Sequence, residues 1–331
     1  MIRFFVALMC ACALAACDSV RTPTDSDDQW RAVSVEVVPV EANVETVGRL
    51  AYRGGLELRS HNSMFVGLSG MEVLDGGRLI AISDEADWIE ARLQFDERGD
   101  LTGFTDVRAA LMRDERGRVL ATKREADSEG LAQLPDGRFA VSFERTHMVR
   151  IYDLNRDGPF GAAELGPRLD EVASLPGNAS FEALAAFDAA LLTAAEGGDQ
   201  ALTPMWLAPL DARAPVAPRF SYPLSDGFSI TGMDRLPDGS FVALERFYAP
   251  VVGARARITR FAAPSDEGGA VQPEVLALLE PPFPLDNFEG ISAVRTADGA
   301  TRVYIVSDNN KSPRQRTLLL AFDLIEAPAA D

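Results

Sequence analysis

Cysteine and histidine are nearly absent from this sequence. Its 331 residues include three cysteines, all within the first 17 positions, and two histidines, His61 and His147. The chain beyond Cys17 therefore has no disulfide, no thiol nucleophile and no cysteine-based metal site. Zinc and copper centres, which rely on cysteine or clustered histidine, are disfavoured for the same reason.

Positive charge is also scarce. The chain has 32 lysines and arginines against 50 acidic residues, giving a net charge of −18. A strongly acidic protein repels nucleic acid and anionic lipid surfaces and attracts cations. Because no polybasic run or basic–aromatic patch appears either, we expect no nucleic-acid partner.

A hydrophobic run long enough to span a membrane is missing. The apolar stretch at residues 4–16 is too short for a confident span, and Arg3 precedes it, as in secretory signals. It ends in "LAAC", which resembles the lipobox of bacterial lipoproteins. That resemblance implies cleavage before Cys17, lipidation of its thiol, and membrane contact through lipid alone. The alternative is an ordinary signal peptide with a chance cysteine.

The stretch after Cys17 is polar. Residues 18–32, "DSVRTPTDSDDQWRA", have the composition of a flexible tether. We therefore predict a signal peptide over residues 1–16, a tether over 17–32, a folded domain over 33–325 and a short tail over 326–331. The lipid anchor would hold the domain in the cell envelope, on the periplasmic or extracellular side.

Helical patterns are rare, and a repeated β pattern takes their place. Each unit has an acid near its start, a short apolar strand, a turn, a second strand and a polar end. The third unit, "SFEALAAFDAALLTAAEGG", is the one stretch compatible with a helix, and its alignment with the others favours strands. The five units occupy residues 69–86, 127–145, 180–198, 231–247 and 287–310.

The spacing of the leading acids indicates the architecture. They are 57, 53, 52 and 55 residues apart, and a period near 50 built from strands is typical of propeller blades. We therefore predict an all-β fold, a β-propeller of five or six blades. The leading acids are Glu72, Glu129, Glu182, Asp234 and Glu289.

Further strand-like runs fill out the blades. Residues 148–155 and 256–263 lie between the repeated hairpins, and residues 317–324 would form the third strand of the last blade. The N-terminal runs at 33–40 or 49–58 would supply its outer strand and close the ring.

If the hairpins are the inner strand pairs, both of their ends reach one mouth of the central channel. In the second unit, a two-residue turn at Asp136–Gly137 would place Glu129 opposite Glu144, where like charges repel unless a cation joins them. We therefore expect up to ten carboxylates at this mouth; the alternative is that they are solvated or cap loops. The trailing acids are Asp84, Glu144, Glu196, Glu245 and Asp308.

Hard oxygen ligands favour Ca²⁺ or Mg²⁺, and calcium is preferred because it accepts six to eight oxygens in flexible geometry. Arg145 and Arg246 directly follow trailing acids. Arginine beside a carboxylate-bound cation is suited to an anionic substrate. Alternatively, each arginine only balances the neighbouring acids.

Several of these segments resemble a known family. In order, "GLSGMEVL", "DSEGLA", "DGRFAVSFER", "ITGMDRLPDGSFVALERF", "NFEGIS" and "VSDNN" resemble the phytase-like family described as "esterase-like activity of phytase", over about residues 66–324. The resemblance implies a propeller-like, often secreted domain that hydrolyses phosphoesters or esters. The third unit departs from the pattern, since it lacks the glycine after the acid and the Asp-Gly turn.

Other catalytic patterns are poor. Ser69 in "GLSGM" lacks the spacing of a nucleophile elbow. His147, just after the second hairpin, is the best available general base if the reaction needs one. The alternative is a histidine at the surface or in a turn with no catalytic role. Three functions fit the pattern: metal-assisted hydrolysis of a phosphoester or ester, non-catalytic binding of a ligand or partner protein, and a calcium-dependent, lactonase-like hydrolysis.

Replacing Cys17 tests the predicted anchor. Cys17→Ser should release the protein from membranes, because each buried methylene of the lost acyl chains contributes about 0.8 kcal/mol to membrane binding. Fractionation of cells expressing either form measures the release, and mass spectrometry of the N-terminal peptide measures acylation. A wild-type peptide without an acyl group would refute lipidation.

Overall fold

The computed structural model describes residues 29–326, apart from 173–174, 176–180, 198–200 and 266. The predicted signal peptide, Cys17 and most of the predicted tether lie outside the described residues, as does nearly all of the predicted tail. No helix within the described part is both long and apolar enough to cross a membrane. One short α-helix, α1, spans Lys123–Ala126.

The described residues form 24 strands. The first four are β1 (Arg31–Ala32), β2 (Glu36–Pro39), β3 (Thr46–Val47) and β4 (Leu50–Arg59). The next eight are β5 (Leu68–Val73), β6 (Arg78–Ser83), β7 (Asp87–Phe95), β8 (Leu101–Leu111), β9 (Ser128–Gln133), β10 (Phe139–Phe143), β11 (Met148–Tyr152) and β12 (Glu164–Leu165). Then follow β13 (Ala183–Phe187), β14 (Ala190–Ala194), β15 (Leu202–Pro209), β16 (Phe220–Pro223), β17 (Ser229–Arg235) and β18 (Phe241–Ala249). The last six are β19 (Gly253–Phe261), β20 (Gly269–Ala270), β21 (Glu274–Leu279), β22 (Asn287–Arg295), β23 (Thr301–Asp308) and β24 (Thr317–Leu324).

These strands form five sheets arranged as the blades of a propeller. From the inner strand outwards, the sheets are β5-β6-β7-β8-β1, β9-β10-β11-β12, β13-β14-β15-β16-β20, β17-β18-β19-β21 and β22-β23-β24-β4-β2. Each inner strand contacts the next, and β22 contacts β5, so the ring closes after five blades. The predicted propeller is confirmed, with five blades in the part of the chain described.

N-terminal strands complete the C-terminal blade. β4 pairs with β24, and β2 pairs with β4. The predicted third strand at 317–324 is therefore confirmed, and both N-terminal runs contribute to the closure. β1 joins blade 1 through β8, so the folded unit already includes Arg31 and Ala32, which lie in the stretch predicted as tether.

The third unit forms strands rather than a helix. β13 and β14 pair from Ala183 opposite Ala194 to Phe187 opposite Ala190. Ala183, Leu184 and Ala185 are all buried in a continuous apolar run. Such a run is typical of a strand that packs between two neighbouring sheets, and its pattern alone does not distinguish it from a buried helix.

The turn of the inner hairpin in blade 2 is one residue longer than predicted, and three other blades have the same turn. In blade 2, Leu134 N donates to Arg138 O and Gly137 N donates to Leu134 O, while Gly137 has a φ of +85°. This is a three-residue loop with a left-handed glycine, not a two-residue turn. The same backbone bond joins Leu74 to Arg78, Leu236 to Ser240 and Thr296 to Ala300.

A β-bulge follows in the same hairpins. Val141 pairs with Leu131 and Phe143 with Ser128, so Glu129 and Gly130 together face Ser142. The prediction that Glu129 lies directly opposite Glu144 is therefore wrong, because the turn and the bulge both shift the register. Equivalent bulges place Ser69, Thr231 and Glu289 as the extra residue before a glycine in blades 1, 4 and 5.

Aromatic residues fill the spaces between blades. Trp88 of blade 1 meets Tyr152 of blade 2 edge to face, with ring centroids 5.2 Å apart. Phe187 of blade 3 meets Phe241 of blade 4 at 5.6 Å. Near the channel, side chains link strands that share no backbone ladder. Ser69 Oγ, for example, donates to Ser128 O at 2.8 Å.

Two leading acids lie at the far end of the channel. Glu72 accepts a hydrogen bond from Gln133 N at 2.8 Å, and Asp234 accepts one from Ala293 N at 2.7 Å, so each joins its inner strand to the next. The prediction that they reach the acidic mouth is wrong. Because the bulges align, Ser69 and Thr231 occupy the positions equivalent to Glu129, and Glu72 and Asp234 come three residues later.

These two carboxyls make stability depend on pH. Burial raises the pKa of Asp234 to about 7, and burial and the charge of Asp234 raise the pKa of Glu72 well above its usual range. A carboxyl with a raised folded-state pKa stabilises the fold below its unfolded pKa near 4, and this contribution is lost as pH rises through the folded value.

We therefore expect Asp234→Asn to weaken the fall in unfolding free energy between pH 5 and 8. One pKa unit corresponds to about 1.4 kcal/mol, so urea denaturation at each pH in the presence of a chelator should resolve the change. Glu97→Gln, at an exposed turn, is the matched control and should keep the wild-type slope. Equal slopes for wild type and Asp234→Asn would contradict the assignment.

Candidate functional site

Carboxylates gather at the end of the channel where the inner hairpins open. We call this region the acidic mouth. Among the described residues it comprises eight carboxylates and four cationic side chains, so negative charge is in excess. Its carboxylates are Asp84, Asp127, Glu129, Glu144, Glu182, Glu196, Glu289 and Asp308, and its cations are Lys123, Arg145, Arg246 and Lys311.

The bulges explain why some of these acids enter the channel. Glu129 and Glu289 are the extra residues of the bulges in blades 2 and 5. A bulge bends the strand and changes the direction of its side chain. The glycine that follows fits because a Cβ on Gly130 would lie 2.7 Å from Leu184 Cβ in the next blade. Close contact between the inner strands thus requires glycine here.

Three carboxylates of blade 2 have the geometry of a metal site. Asp127 precedes β9, Glu129 lies in its bulge and Glu144 follows β10. Each offers an oxygen within 4.8 Å of those of the other two. A calcium ion lies 2.3–2.6 Å from its oxygen ligands, so ligands of one ion lie within about 5 Å of each other. The donor set and spacing fit a hard divalent cation.

Protein cations already contact this triad. Arg145 Nε donates to Asp127 Oδ2 at 2.6 Å, and Lys123 Nζ contacts Asp127 Oδ1. Lys123 also donates to Asp84 at 2.9 Å, which links blades 1 and 2. Arg145 therefore balances a neighbouring acid, as the alternative interpretation expected, while 41% of its side chain remains exposed.

The environment of the mouth favours neutral carboxyls. Burial and the neighbouring Asp127 raise the pKa of Glu144 to about 7, and burial and Asp308 raise the pKa of Glu289 to about 8. Burial and the adjacent acids, chiefly Glu182, raise the pKa of Glu129 well above its usual range. A divalent cation would favour the ionised forms, so its binding would release protons.

Blade 4 contributes an arginine where the other four blades contribute a trailing acid. Glu245 is buried, with 1% exposure, and accepts hydrogen bonds from Tyr222 Oη at 2.5 Å and Arg257 Nε at 2.6 Å. The prediction that Glu245 faces the mouth is wrong. Side chains alternate along β18, so Arg246 points to the mouth and Glu245 into the blade.

Arg246 links three blades. Its Nη1 donates to Glu289 at 2.7 Å and to Asn287 Oδ1 at 2.6 Å in blade 5, and its Nη2 donates to Glu196 at 3.1 Å in blade 3. These contacts fix the orientation of the guanidinium and balance part of the negative charge. Its predicted role in substrate binding stays a prediction.

His147 lies in the turn between β10 and β11. Its φ is +48°, its N donates to Glu144 O at 3.0 Å, and its ring packs edge-on against Phe181. Nδ1 is buried and has no hydrogen-bond partner among the described residues. Burial lowers the pKa of His147, so the neutral imidazole predominates near pH 7 and can accept a proton.

The structure brings together most of the predicted carboxylates and adds residues that the sequence did not single out. Asp127 opens the second repeated unit and Lys123 precedes it by four residues, a spacing that favours an ion pair on a short helix. Lys311 contacts Asp84 and Glu85 from the loop after β23. The sequence alone did not place Lys123 and Lys311 at the mouth, because their contacts depend on the loops of blades 1, 2 and 5 meeting in space.

Comparisons with solved structures find proteins that are similar to this chain at low sequence identity. The catalytic domain of an alpha-L-arabinofuranosidase from Coprinopsis cinerea is 12% identical, with a TM-score of 0.50 over 87% of this chain and 100% of that chain. An alpha-L-arabinofuranosidase from Podospora anserina is 13% identical, with a TM-score of 0.48 over 87% of this chain and 100% of that chain. A PQQ-bound aldose sugar dehydrogenase from Streptomyces coelicolor is 15% identical, with a TM-score of 0.40 over 88% and 99%. At these identities the likeness concerns the fold alone.

None of the curated proteins compared matches the chain. The sequence profile of the phytase-like family, described as "esterase-like activity of phytase", matches residues 63–311. That range includes all five inner strands and every residue of the acidic mouth. The chain therefore belongs to the phytase-like family.

Proposed function

We propose that this protein is a divalent-cation-dependent hydrolase of phosphoesters or carboxyl esters, with Ca²⁺ as the preferred ion. The observation that carries the proposal is the triad of Asp127, Glu129 and Glu144, whose oxygens lie within 4.8 Å of one another. The description of its family supports an esterase-like reaction.

Each part of the mouth has a role in this proposal. The triad holds the cation, which when bound polarises the substrate oxygen and lowers the pKa of water. Arg145 is partly exposed and orients an anionic group of the substrate, while Arg246 holds Glu196 and Glu289 in place. The remaining carboxylates of the mouth keep the site selective for cations.

His147, in the turn that follows Glu144, is the proposed general base. It accepts a proton from the attacking water as the new bond to the acyl carbon or phosphorus forms. The bond to the leaving oxygen then breaks, and that oxygen takes the proton. Since no external oxidant or reductant enters, the step is a simple hydrolysis.

A non-catalytic binding protein is the second candidate. Lys123 and Arg145 both contact Asp127, so part of the triad is neutralised by the chain itself. In that case the cation is structural and the mouth binds an anionic ligand or partner. A lactonase-like reaction uses the same donors and differs only in substrate. We also propose that the domain is lipid-anchored in the cell envelope, as the N-terminal sequence predicts.

Calcium titration tests the triad. Glu129→Gln and Glu144→Gln should each weaken calcium binding at least tenfold, about 1.4 kcal/mol, because a neutral amide oxygen is a poorer ligand for a hard cation. Isothermal titration calorimetry at pH 8 measures the affinity. Glu72→Gln makes the same change at the far end of the channel and should bind calcium like wild type. Wild-type calcium affinity in both mouth variants would refute the proposed metal site.

A substrate panel tests the reaction and the role of Arg145. With calcium, the wild type should release product from a phosphomonoester, a carboxyl ester or a lactone. The substrate that is turned over identifies the class of reaction. Arg145→Gln should lower kcat/KM for an anionic phosphomonoester by a factor corresponding to about 1.5–3 kcal/mol, the scale of a charge-assisted hydrogen bond. Neutral esters should be less affected.

Arg138→Gln, in the opposite turn of the same hairpin, is the control and should behave like wild type. If the calcium-loaded protein turns over no member of the panel, the hydrolase proposal fails and the binding protein takes its place.

A further inference from the structure

One hairpin continues beyond the acidic mouth and ends in exposed apolar side chains. β18 and β19 stay paired past Arg246, through Tyr248 opposite Ala254 to Ala249 opposite Gly253. At the tip, Tyr248 is 71% exposed and Val251 is 97% exposed. We call residues 248–252 the apolar tip.

The base of this hairpin is well supported. Phe247 packs against Phe228, with ring centroids 5.5 Å apart. The guanidinium of Arg257 lies 4.3 Å from the ring of Phe228, and that of Arg255 lies 5.9 Å from the ring of Phe247. Because the base is packed and the ladder continues to the last pair, the apolar tip is held in a fixed direction.

Strand alternation places Tyr248, at the start of the tip, on the side of the mouth. The pairing of β18 with β19 has no irregularity from Phe241 to Ala249, so Arg246 and Tyr248 share one face of the strand, about 7 Å apart along it. Arg246 already contacts Glu196 and Glu289 inside the mouth. The face that carries Tyr248 is therefore continuous with the acidic mouth.

We propose that the apolar tip binds the acyl or aryl part of the substrate, so that the protein prefers esters with one reacting group and an apolar remainder. This inference rests on the proposed function. The ring of Tyr248 offers a large apolar area at a low entropic cost. The exposed side chains of Tyr248 and Val251 offer an apolar contact surface to the uncharged remainder of a substrate whose reacting group lies in the mouth.

Esters of increasing chain length test the proposal. In the calcium-loaded protein, p-nitrophenyl acetate, butyrate and octanoate should show a kcat/KM that rises with chain length, by up to about fourfold for each methylene that becomes buried. The quantity to compare is the ratio of kcat/KM for octanoate to that for acetate. Tyr248→Ser and Val251→Ser should each lower this ratio at least threefold.

Val275→Ser is the matched control. Val275 is a 51% exposed valine on β21 of the same blade, away from the tip, so its replacement should leave the ratio unchanged. Thermal melting of all three variants confirms that they fold, since each changes an exposed side chain.

The outcomes separate this inference from the proposed function. If the wild type hydrolyses neither these carboxyl esters nor the phosphomonoester or lactone of the substrate panel, the proposed function fails and this inference fails with it. If it hydrolyses the phosphomonoester or the lactone but none of these carboxyl esters, only this inference is overturned. If it hydrolyses esters but both tip variants keep the wild-type ratio, only this inference is overturned. In that event, loss of binding to phosphatidylcholine vesicles in Val251→Ser would assign the tip to a lipid surface. Loss of a concentration-dependent dimer in sedimentation would assign it to a second copy of the chain.

Discussion

Repulsion between carboxylates is the constraint around which the acidic mouth is built. Five blades direct their inner hairpins to one opening, and most of these hairpins carry acids at both strand ends. The chain limits the repulsion in two ways. Arg246 and Lys123 join acids of different blades, and burial raises the pKa of Glu144 and Glu289 so that they hold protons near neutral pH. A bound divalent cation would take over the role of these protons, because it binds the ionised carboxylates and offsets their charge.

The bulge and the glycine that follows it connect this chemistry to the fold. Without the bulge, Glu129 and Glu289 would alternate with their neighbours into the packed spaces between blades. With it, their carboxyls reach the channel while the glycine lets the next inner strand approach. Blades 1 and 4 keep the bulge but carry Ser69 and Thr231 there, so these two blades place no acid at the bulge position. Among the residues that the structure describes, blade 2 alone, with Asp127 added, assembles a compact triad of carboxylates.

Much of the fold was predictable because it follows from periodicity. The repeat of about 50 residues and the paired apolar runs predicted the blades. The run at 317–324 and the N-terminal runs predicted the last blade, which combines strands from both ends of the chain. The errors arose where one residue of register decides the outcome. Aligning acids by type placed Glu72 and Asp234 at the mouth, whereas the glycines Gly70 and Gly232 mark the true alignment. Glu245 and Arg246 are adjacent, and side chains alternate along a strand. Arg246 therefore faces the mouth at the position that was predicted for Glu245. Lys123 and Lys311 come from loops whose meeting depends on the closed ring.

The closure of the ring by β4 has a consequence for how the chain reaches its native state. β24 is a buried, mostly apolar strand that pairs with β23 along one edge. Its other edge is covered once β4 pairs with it. Its partner is more than 250 residues away in sequence, so this contact has a very high contact order and forms late if local hairpins form first. Until then, β24 presents an unpaired edge of the kind that leads to association between chains. By pairing with β24, the N-terminal strand β4 thus covers an edge that would otherwise be open to association between chains.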